Sequence, residues 1–240
     1  MISLCITTMD RYDIFLSDNL PKYISNPYID EIIINDENGN DFEMIKKNFS
    51  NEKLKVYKNE SILGPFLNKI DVLKKAKNKW ICLMDSDNFA DIEYFRVVTE
   101  FLKKKEPLDD VVLMPSFARP NFNYKKFENN KIMRSNIKTI EYIDKMIFNC
   151  LINTGNFVIN KNLVEKLDIS RENPDIISTS SACDVKYFNL LLFEQFPDVE
   201  FHVVKDMEYD HTVHDNSIYL QTYMKFNNTI NVINNRFENL

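Results

Sequence analysis

A run of five apolar residues that ends in two carboxylates constrains this chain more than any other stretch. Residues 80–84 are all apolar, and Asp85 and Asp87 follow at once, separated only by Ser86. An unbroken apolar run of this length suits a strand that is buried on both faces of a sheet. In open α/β sheets, ligands bind outside the carboxyl ends of the strands. The pattern therefore predicts a buried strand with two acids at its end that attract a cation.

The first third of the chain alternates between strand patterns and helix patterns. Strand patterns occur at residues 2–8, within 30–41 and at 54–57, and helix-like spacings follow them at 12–25, 40–49 and 65–79. We expect Asn40 or Asp41 to cap the second of these helices. This alternation predicts an α/β fold whose mostly parallel, twisted sheet is flanked by helices within a single domain. We expect the polar turns that follow the strands to share one edge of that sheet.

The remainder of the chain has weaker patterns. We predict a helix at 91–105, a strand at 111–115, a strand at 152–159, a helix from Asn160 to Leu167, a helix at 181–196, a strand at 200–204 and an amphipathic helix from Ile218. Residues 116–136 are rich in Asn, Lys and aromatic side chains without a clear period, which predicts a long functional loop or a substrate-facing insertion.

Composition excludes several classes of protein. A net charge of −6 argues against a general nucleic-acid surface. No run of about 18 apolar residues occurs, so we predict no membrane span, and any membrane contact would be peripheral. The four cysteines are far apart in the sequence, which favours reduced thiols and a cytoplasmic protein. With only three glycines, the chain lacks the glycine-rich loops that bind dinucleotides or phosphates.

Four polar motifs resemble, in order and spacing, those of the GT-A fold of nucleotide-sugar glycosyltransferases, most closely family two. They are Thr7-Thr8-x-x-Arg11, Asn35-Asp36-x-x-Gly39-x-Asp41, Leu63-Gly64-x-x-x-Asn68-Lys69 and Asp85-Ser86-Asp87. The resemblance covers residues 1–105 well and extends to about Ser217 through His214-x-x-Ser217. It implies a nucleotide-binding half at 1–105, an acceptor-binding half at 106–217 and a helical tail at 218–240.

The resemblance also implies which residues hold the donor. The implied donor-binding residues are Thr7, Thr8, Arg11, Asp36, Asn68, Lys69, Asp85, Ser86, Asp87 and Gly155. Among them, Asp36 resembles the acid that hydrogen-bonds the base, typically uracil, although an acid at this point can also cap its own turn. Lys69 would reach ribose or phosphate, but it could equally be a lysine on the helix surface. Gly155 would let the backbone approach the sugar, or it would be a strand bulge.

A divalent cation is expected between the acid pair and the donor. Two carboxylates would repel a diphosphate unless Mn²⁺ or Mg²⁺ lies between them. The resemblance makes Asp87 the firmer ligand and places Asp85 near the ribose or a metal-bound water, with His214 as an added ligand and His211 as the second choice. Alternatively, the acids form a solvated turn in which Asp87 caps the next helix, and the histidines belong to a surface loop.

The implied reaction is transfer of a sugar from a nucleotide diphosphate, typically a UDP-sugar, to a hydroxyl of a glycan, lipid-linked or protein acceptor. Inversion needs a base, and Asp184 matches the family's late acid. Ser181-x-x-Asp184 could instead be a helix capping box. Retaining transfer and a non-catalytic nucleotide-sugar-binding module are the alternatives. A haloacid-dehalogenase-type phosphatase or a nucleotidyltransferase would need first-strand motifs that this chain lacks.

Overall fold

In the part of the chain that the structure describes, four parallel strands from the first third form one side of a nine-stranded sheet. The computed structural model describes residues 2–104, 109–215 and 217–240. The first elements are β1 (Ile2–Thr8), a π-helical turn (Tyr12–Leu16), α1 (Ser17–Ser25), β2 (Ile29–Asp36), α2 (Asn40–Asn48), β3 (Leu54–Lys58), α3 (Pro65–Lys75) and β4 (Trp80–Asp85). Strand β1 lies between β2 and β4 and runs parallel to both, while β3 lies parallel to β2 at the edge. The predicted α/β alternation is confirmed.

The second half of the chain extends this sheet with strands of both directions. Its elements are α4 (Ile92–Lys104), β5 (Val111–Arg119), β6 (Phe122–Asn123), a 3₁₀ turn (Lys125–Phe127), β7 (Lys131–Ile132), α5 (Ile137–Ile143), α6 (Lys145–Ile152), β8 (Phe157–Asn160), α7 (Lys161–Lys166), α8 (Pro174–Thr179), α9 (Asp184–Gln195), β9 (Glu200–Asp210), α10 (Ile218–Thr222) and α11 (Asn227–Glu238). The strand order is β3-β2-β1-β4-β8-β5-β9-β7, and β6 pairs with β5. Strand β8 is antiparallel to β4 and β5, whereas β5 and β9 are parallel.

The apolar run before the acid pair is the buried central strand that the sequence predicts. Ile81, Cys82, Leu83 and Met84 are at most 1% exposed. Strand β4 is central, with β1 on one side and β8 on the other, and side chains from flanking helices pack on its faces, as Tyr94 of α4 does against Cys82. Only Asp85, the last residue of the strand, is partly exposed.

Two predictions for the middle of the chain are wrong. Residues 116–136 are not one long loop, because β5 continues to Arg119 along β9 across a register shift, and β6 and β7 follow. The strand predicted at 152–159 begins only at Phe157, because Asp144 accepts a hydrogen bond from the Ile147 N–H and starts α6, which continues to Ile152. Helix formation there is favoured by burial of one apolar face of α6.

Several predicted boundaries shift by a few residues. Helix α3 ends at Lys75 rather than at 79, and β9 continues to Asp210 rather than ending at 204. Helix α4 begins at Ile92, and the preceding residue, Asp91, accepts hydrogen bonds from the backbone N–H groups of Glu93 and Tyr94. The predicted end of that helix at Lys105 lies outside the described residues.

The last helix packs on the helix that carries the candidate base. Ile230, Ile233 and Phe237 of α11 are buried. Arg236 of the same helix contacts Glu194 of α9 and, at 2.6 Å, Glu172. The amphipathic pattern of the C-terminal segment therefore serves to hold α9 against the sheet. Within the described residues, no helix is both long and apolar enough to cross a membrane.

Candidate functional site

The carboxyl edge of the parallel strands brings three of the predicted motifs side by side. Thr7 of β1 lies opposite Asn35 of β2 and opposite Asp85 of β4. Thr8 lies opposite Asp36. Because the carboxyl ends of parallel strands lie at the same edge of a sheet, the polar turns after β1, β2 and β4 lie together there, as the sequence predicts.

Asp85 is fixed at this edge by three neighbours. Its backbone N–H donates to Asn156 Oδ1 at 3.0 Å. Its Oδ1 accepts from Lys69 Nζ at 3.0 Å. Its Oδ2 lies against Gly155, where an added Cβ would be only 2.3 Å away. The space beside Gly155 is therefore filled by the acid itself, which neither of the two sequence interpretations of Gly155 anticipated.

Lys69 joins Asp85 to the candidate base. The same Nζ donates to Asp184 Oδ2 at 2.8 Å. The side chains of Lys69 and Asp184 are only 14% and 9% exposed. Burial by itself would lower the pKa of Lys69, but the two carboxylates outweigh it and raise that pKa. Burial raises the pKa of Asp184, and Lys69 opposes this effect.

The capping-box alternative for Asp184 is wrong. Cys183 is the residue before α9, and no side chain caps the helix in the way the motif requires. The Ser181 hydroxyl is buried and has no hydrogen-bond partner among the residues that the structure describes. The Lys186 N–H near the helix start is satisfied by Asn153 Oδ1 at 3.0 Å. Asp184 is therefore the first residue of α9 rather than the third that a capping box requires, and its carboxylate contacts both Lys69 and the Val185 N–H.

Asp87 contacts the later of the two candidate histidines. Its Oδ2 lies 3.0 Å from His214 Nε2. The His214 ring also lies 5.5 Å, between ring centroids, from Phe15 in the π-helical turn. Burial and then the nearby Asp85 raise the pKa of Asp87. His211, the second choice, instead has its Nδ1 2.7 Å from the Asn121 amide.

The donor set at Asp87 has the chemistry of a divalent-cation site. Carboxylate oxygen and imidazole nitrogen are ligands that Mn²⁺ accepts. An acid whose ionisation is opposed by burial and by a second acid would be stabilised by a bound cation. In the described ranges, however, no group of three or more His, Cys, Asp or Glu side chains is arranged to hold a metal ion. The structure brings together one carboxylate and one imidazole there, those of Asp87 and His214.

Asp41 is a residue of the second motif whose role the sequence did not predict. We expected Asn40 or Asp41 to cap α2, but Gly39 precedes the helix, and the Phe42 N–H in its first turn donates to Asp36 instead. The Asp41 carboxylate instead accepts from the Thr8 hydroxyl, from the Arg11 N–H at 3.0 Å and from the Tyr12 N–H at 2.8 Å. It therefore shapes the turn after β1 that leads into the π-helical segment, a geometry often found at functional sites.

Asp36 is buried and engaged by its own turn. Its carboxylate accepts from the Phe42 N–H at 2.8 Å and from the Asn38 N–H at 3.4 Å. Burial raises its pKa. Both the base-binding and the turn-capping interpretations are compatible with this geometry, because a carboxylate has more acceptor positions than these bonds use.

Asn68 takes part in a network of amides beneath the edge. Its Oδ1 accepts from Asn35 at 3.0 Å and from Asn59 at 3.1 Å. The nearby Glu37 is buried and accepts from the Gly64 N–H and, at 2.7 Å, from Asn59. Asn68 thus ties the start of α3 to β2. Glu37, Asn59 and Asn153 were not singled out from the sequence, since only the fold brings their partners near.

The remaining predicted residues lie along the same edge. Thr7, Arg11 and Ser86 are partly exposed. The Arg11 guanidinium donates to the Asp10 carbonyl at 3.3 Å. The structure thus places the residues predicted to bind the nucleotide sugar around β1, β2 and β4. Asp184 and His214, from the second half of the chain, lie next to them.

This combination of fold and edge defines the GT-A class of glycosyltransferases. The family model described as Glycosyl transferase family 2 matches residues 13–167, which is more than half of the chain. The chain therefore belongs to glycosyl transferase family 2. No curated protein sequence matches it.

Solved structures with this fold include complexes with UDP-GlcNAc and with GDP-Man. The chain is similar to the crystal structure of S. aureus TarS 1-349 in complex with UDP-GlcNAc, with 15% identity and a TM-score of 0.69 over 98% of this chain and 66% of that one. It is also similar to the mannosyltransferase PcManGT from Pyrobaculum calidifontis in complex with GDP-Man and Mn2+, with 10% identity and a TM-score of 0.60 over 92% and 59%. The chain thus spans less than two thirds of either relative, and the likeness establishes the fold.

Proposed function

We propose that this protein is a metal-dependent, inverting glycosyltransferase that moves a sugar from a UDP-sugar to an acceptor hydroxyl. The observation that carries the proposal is that Asp85 and Asp184 both contact Lys69, and that Asp87 follows Asp85 two residues later. This arrangement joins the acids of the donor edge to a buried carboxylate on a helix from the other half of the chain. A donor site and a base would have to be neighbours in this way.

The donor is proposed to lie along the edge formed by β1, β2 and β4. Thr7, Thr8 and Arg11 would line the nucleoside, and Asp36 would accept from the base. Asn68, Ser86 and Gly155 would shape the ribose and sugar side. A uridine nucleotide is favoured because the solved relative with the higher TM-score of the two described is in complex with UDP-GlcNAc. GDP-Man in the other relative shows why GDP-sugars belong in any test.

Mn²⁺ or Mg²⁺ would be held by Asp87 and His214, with Asp85 facing the ribose or a metal-bound water. When bound, such an ion supplies positive charge that stabilises the departing diphosphate. The donor chemistry of the Asp87 and His214 pair supports this assignment. Mn2+ in the structure of the mannosyltransferase relative supports it as well.

Asp184 is proposed as the base that takes the proton of the acceptor hydroxyl. Burial raises its pKa, which makes its ionised form more basic, and Lys69 still favours that ionised form. The acceptor would approach from the half of the chain at 106–217 and would be a glycan, a lipid-linked sugar or a protein. The four unpaired cysteines support a reducing compartment such as the cytoplasm.

The test is transfer measured with a panel of UDP-, GDP- and dTDP-sugars, Mn²⁺ and simple sugar acceptors. Release of the nucleoside diphosphate would be followed together with formation of the glycoside. We expect one donor class to be consumed only with metal, and nuclear magnetic resonance of the product to show an inverted anomeric centre. Donor binding without any transfer or hydrolysis would indicate a binding module, and a product of retained configuration would exclude Asp184 as a simple inverting base.

A further inference from the structure

We propose that Lys69 is a positioning residue that holds Asp184 in place for transfer, rather than a ligand of the donor phosphates. The proposal rests on the function proposed above and deepens it at the same site. It replaces the role that the sequence suggested for this lysine, which was contact with ribose or phosphate.

The geometry shows that the ammonium group already has two anionic partners. Lys69 Nζ lies 2.8 Å from Asp184 Oδ2 and 3.0 Å from Asp85 Oδ1. These three groups carry one positive and two negative charges, so together they form a net negative set. Such a set would repel a diphosphate rather than attract it. The charge of Lys69 is therefore directed at the carboxylates.

The ion pair that reaches the candidate base is largely desolvated. The side chains of Lys69 and Asp184 are both mostly buried. Removing one partner of such a pair leaves an uncompensated buried charge, which is far more costly than loss of a surface pair. Without Lys69, Asp184 and Asp85 would face each other without the cation between them, and the Asp184 carboxylate would lose its charged partner and keep only its contact with the Val185 N–H.

The helix that carries Lys69 is held against α9 independently of this ion pair. Phe66 of α3 stacks on Tyr187 of α9, with ring centroids 4.9 Å apart and an angle of 30° between the planes. Phe66, Ile70 and Leu73 of α3 are buried. These apolar contacts keep α3 and α9 together when Lys69 changes, so the role of its charge can be tested in a folded protein.

The first experiment compares Lys69→Met, which removes the charge but keeps the length, with Lys69→Arg, which keeps the charge. The matched control is Lys74→Ala, because Lys74 is exposed on the same helix. We expect Lys69→Met to lower kcat about 100-fold, as for a misplaced reacting group. Donor affinity, which Lys69 affects only through Asp85, should fall by less than kcat. Lys69→Arg should retain more turnover than Lys69→Met, and the control should match the wild type.

Chemical rescue separates positioning from general damage. Added propylamine or butylamine should raise kcat of Lys69→Ala, because a free ammonium can occupy the space between the two acids. The same amines should leave an Asp184→Asn, Lys69→Ala double variant without gain. A large loss of donor affinity in Lys69→Met with kcat unchanged would overturn the proposal and identify Lys69 as a phosphate ligand.

A measurement of unfolding tests the ion pair without any turnover. In a double-mutant cycle, Lys69→Met should lower the melting temperature less when Asp184 is already Asn, because the unpaired buried charge is then absent. Equal losses in both backgrounds would overturn the proposal even if transfer is observed. If the wild type neither binds nor transfers any nucleotide sugar, the proposed function fails, whereas this cycle still reports on the Lys69 contact.

Discussion

The replacement of Gly155 by Ala should disturb the site by steric overlap, without any backbone strain. The backbone of Gly155 is outside the left-handed region, in which Gly39 and Gly64 lie. Its lack of a side chain is nevertheless required, because an added Cβ would be 2.3 Å from Asp85 Oδ2 and 2.8 Å from both Asp85 Cγ and Oδ1. A Cβ atom does not approach non-bonded atoms this closely, so the carboxylate would have to move.

The size of the effect follows from how firmly Asp85 is held. Its Oδ1 is paired with Lys69 and its N–H with Asn156, so the carboxylate cannot turn away without loss of the contact to Lys69. Overpacking of this kind typically costs about 1–3 kcal/mol. For a chain of this size, that cost corresponds to a melting temperature lower by roughly 2–12 °C. Turnover should also fall, because Asp85 leaves the donor edge.

The assay is thermal unfolding of Gly155→Ala in two backgrounds. With Asp85 present, we expect the loss just given, whereas in an Asp85→Ala background most of it should disappear. Gly64→Ala is the control, because an added Cβ there meets nothing within 4 Å and the cost comes only from its φ of +80°. Asp85→Ala should not relieve that cost. An unchanged melting temperature, or an equal loss in both backgrounds, would refute the contact between Gly155 and Asp85.

Four further substitutions test separate parts of the site. Asp184→Asn should lower kcat about 10²- to 10⁴-fold, the usual contribution of a general base, while donor affinity is kept; full activity in steady-state assays would exclude the base. His214→Ala should weaken Mn²⁺ binding at least about tenfold in a metal titration, and unchanged metal affinity and turnover would remove it from the site. Burial raises the pKa of Asp36, so its contribution to stability is present at low pH and is lost as the pH rises through the raised pKa. Asp36→Asn should therefore gain stability relative to the wild type as unfolding is measured from pH 4 to pH 7, and a difference independent of pH would contradict this. Asp41→Ala should lower the free energy of unfolding, measured by denaturant titration, by about 1–3 kcal/mol, because it leaves buried donors of the first turn unpaired. An unchanged free energy of unfolding would contradict this role.

The nucleotide half could be predicted because its signals are local. An apolar run, a polar turn and an amphipathic helix recur in order, and each element is close in sequence to the elements that it packs against. Pro65 illustrates this, because it begins α3 as expected from its fixed φ and missing N–H. The buried strand β4 was likewise evident from its composition alone.

The second half was harder because its strands depend on distant partners. The end of β5 pairs with the end of β9, about ninety residues later in the chain, across a register shift at Pro115. The local pattern of apolar and polar residues does not indicate such a pairing between distant strands. The start of α6 did carry a usable signal, since Asp144 is a favourable capping residue and Phe148, Leu151 and Ile152 follow at helical spacing.

The site was predicted as a set of residues but not as a set of contacts. The acids at the end of β4 and on α9 were both identified, yet the sequence contains no sign that Lys69 joins them. Asp41 was expected at a helix start, although its carboxylate shapes the first turn instead. Such contacts join segments that are distant in sequence, and only the assembled sheet edge determines them.

The most direct measurement is the melting temperature with nucleotide sugars, with and without Mn²⁺, for the wild type and for Asp87→Asn. A ligand at 100 times its Kd stabilises the native state by about 2.7 kcal/mol, or roughly 5–11 °C here. We predict a rise of this size for at least one UDP-sugar, dependent on Mn²⁺ and lost in Asp87→Asn. The absence of any shift with UDP-, GDP- and dTDP-sugars, or an equal shift in Asp87→Asn, would contradict a metal-dependent donor site at the end of β4.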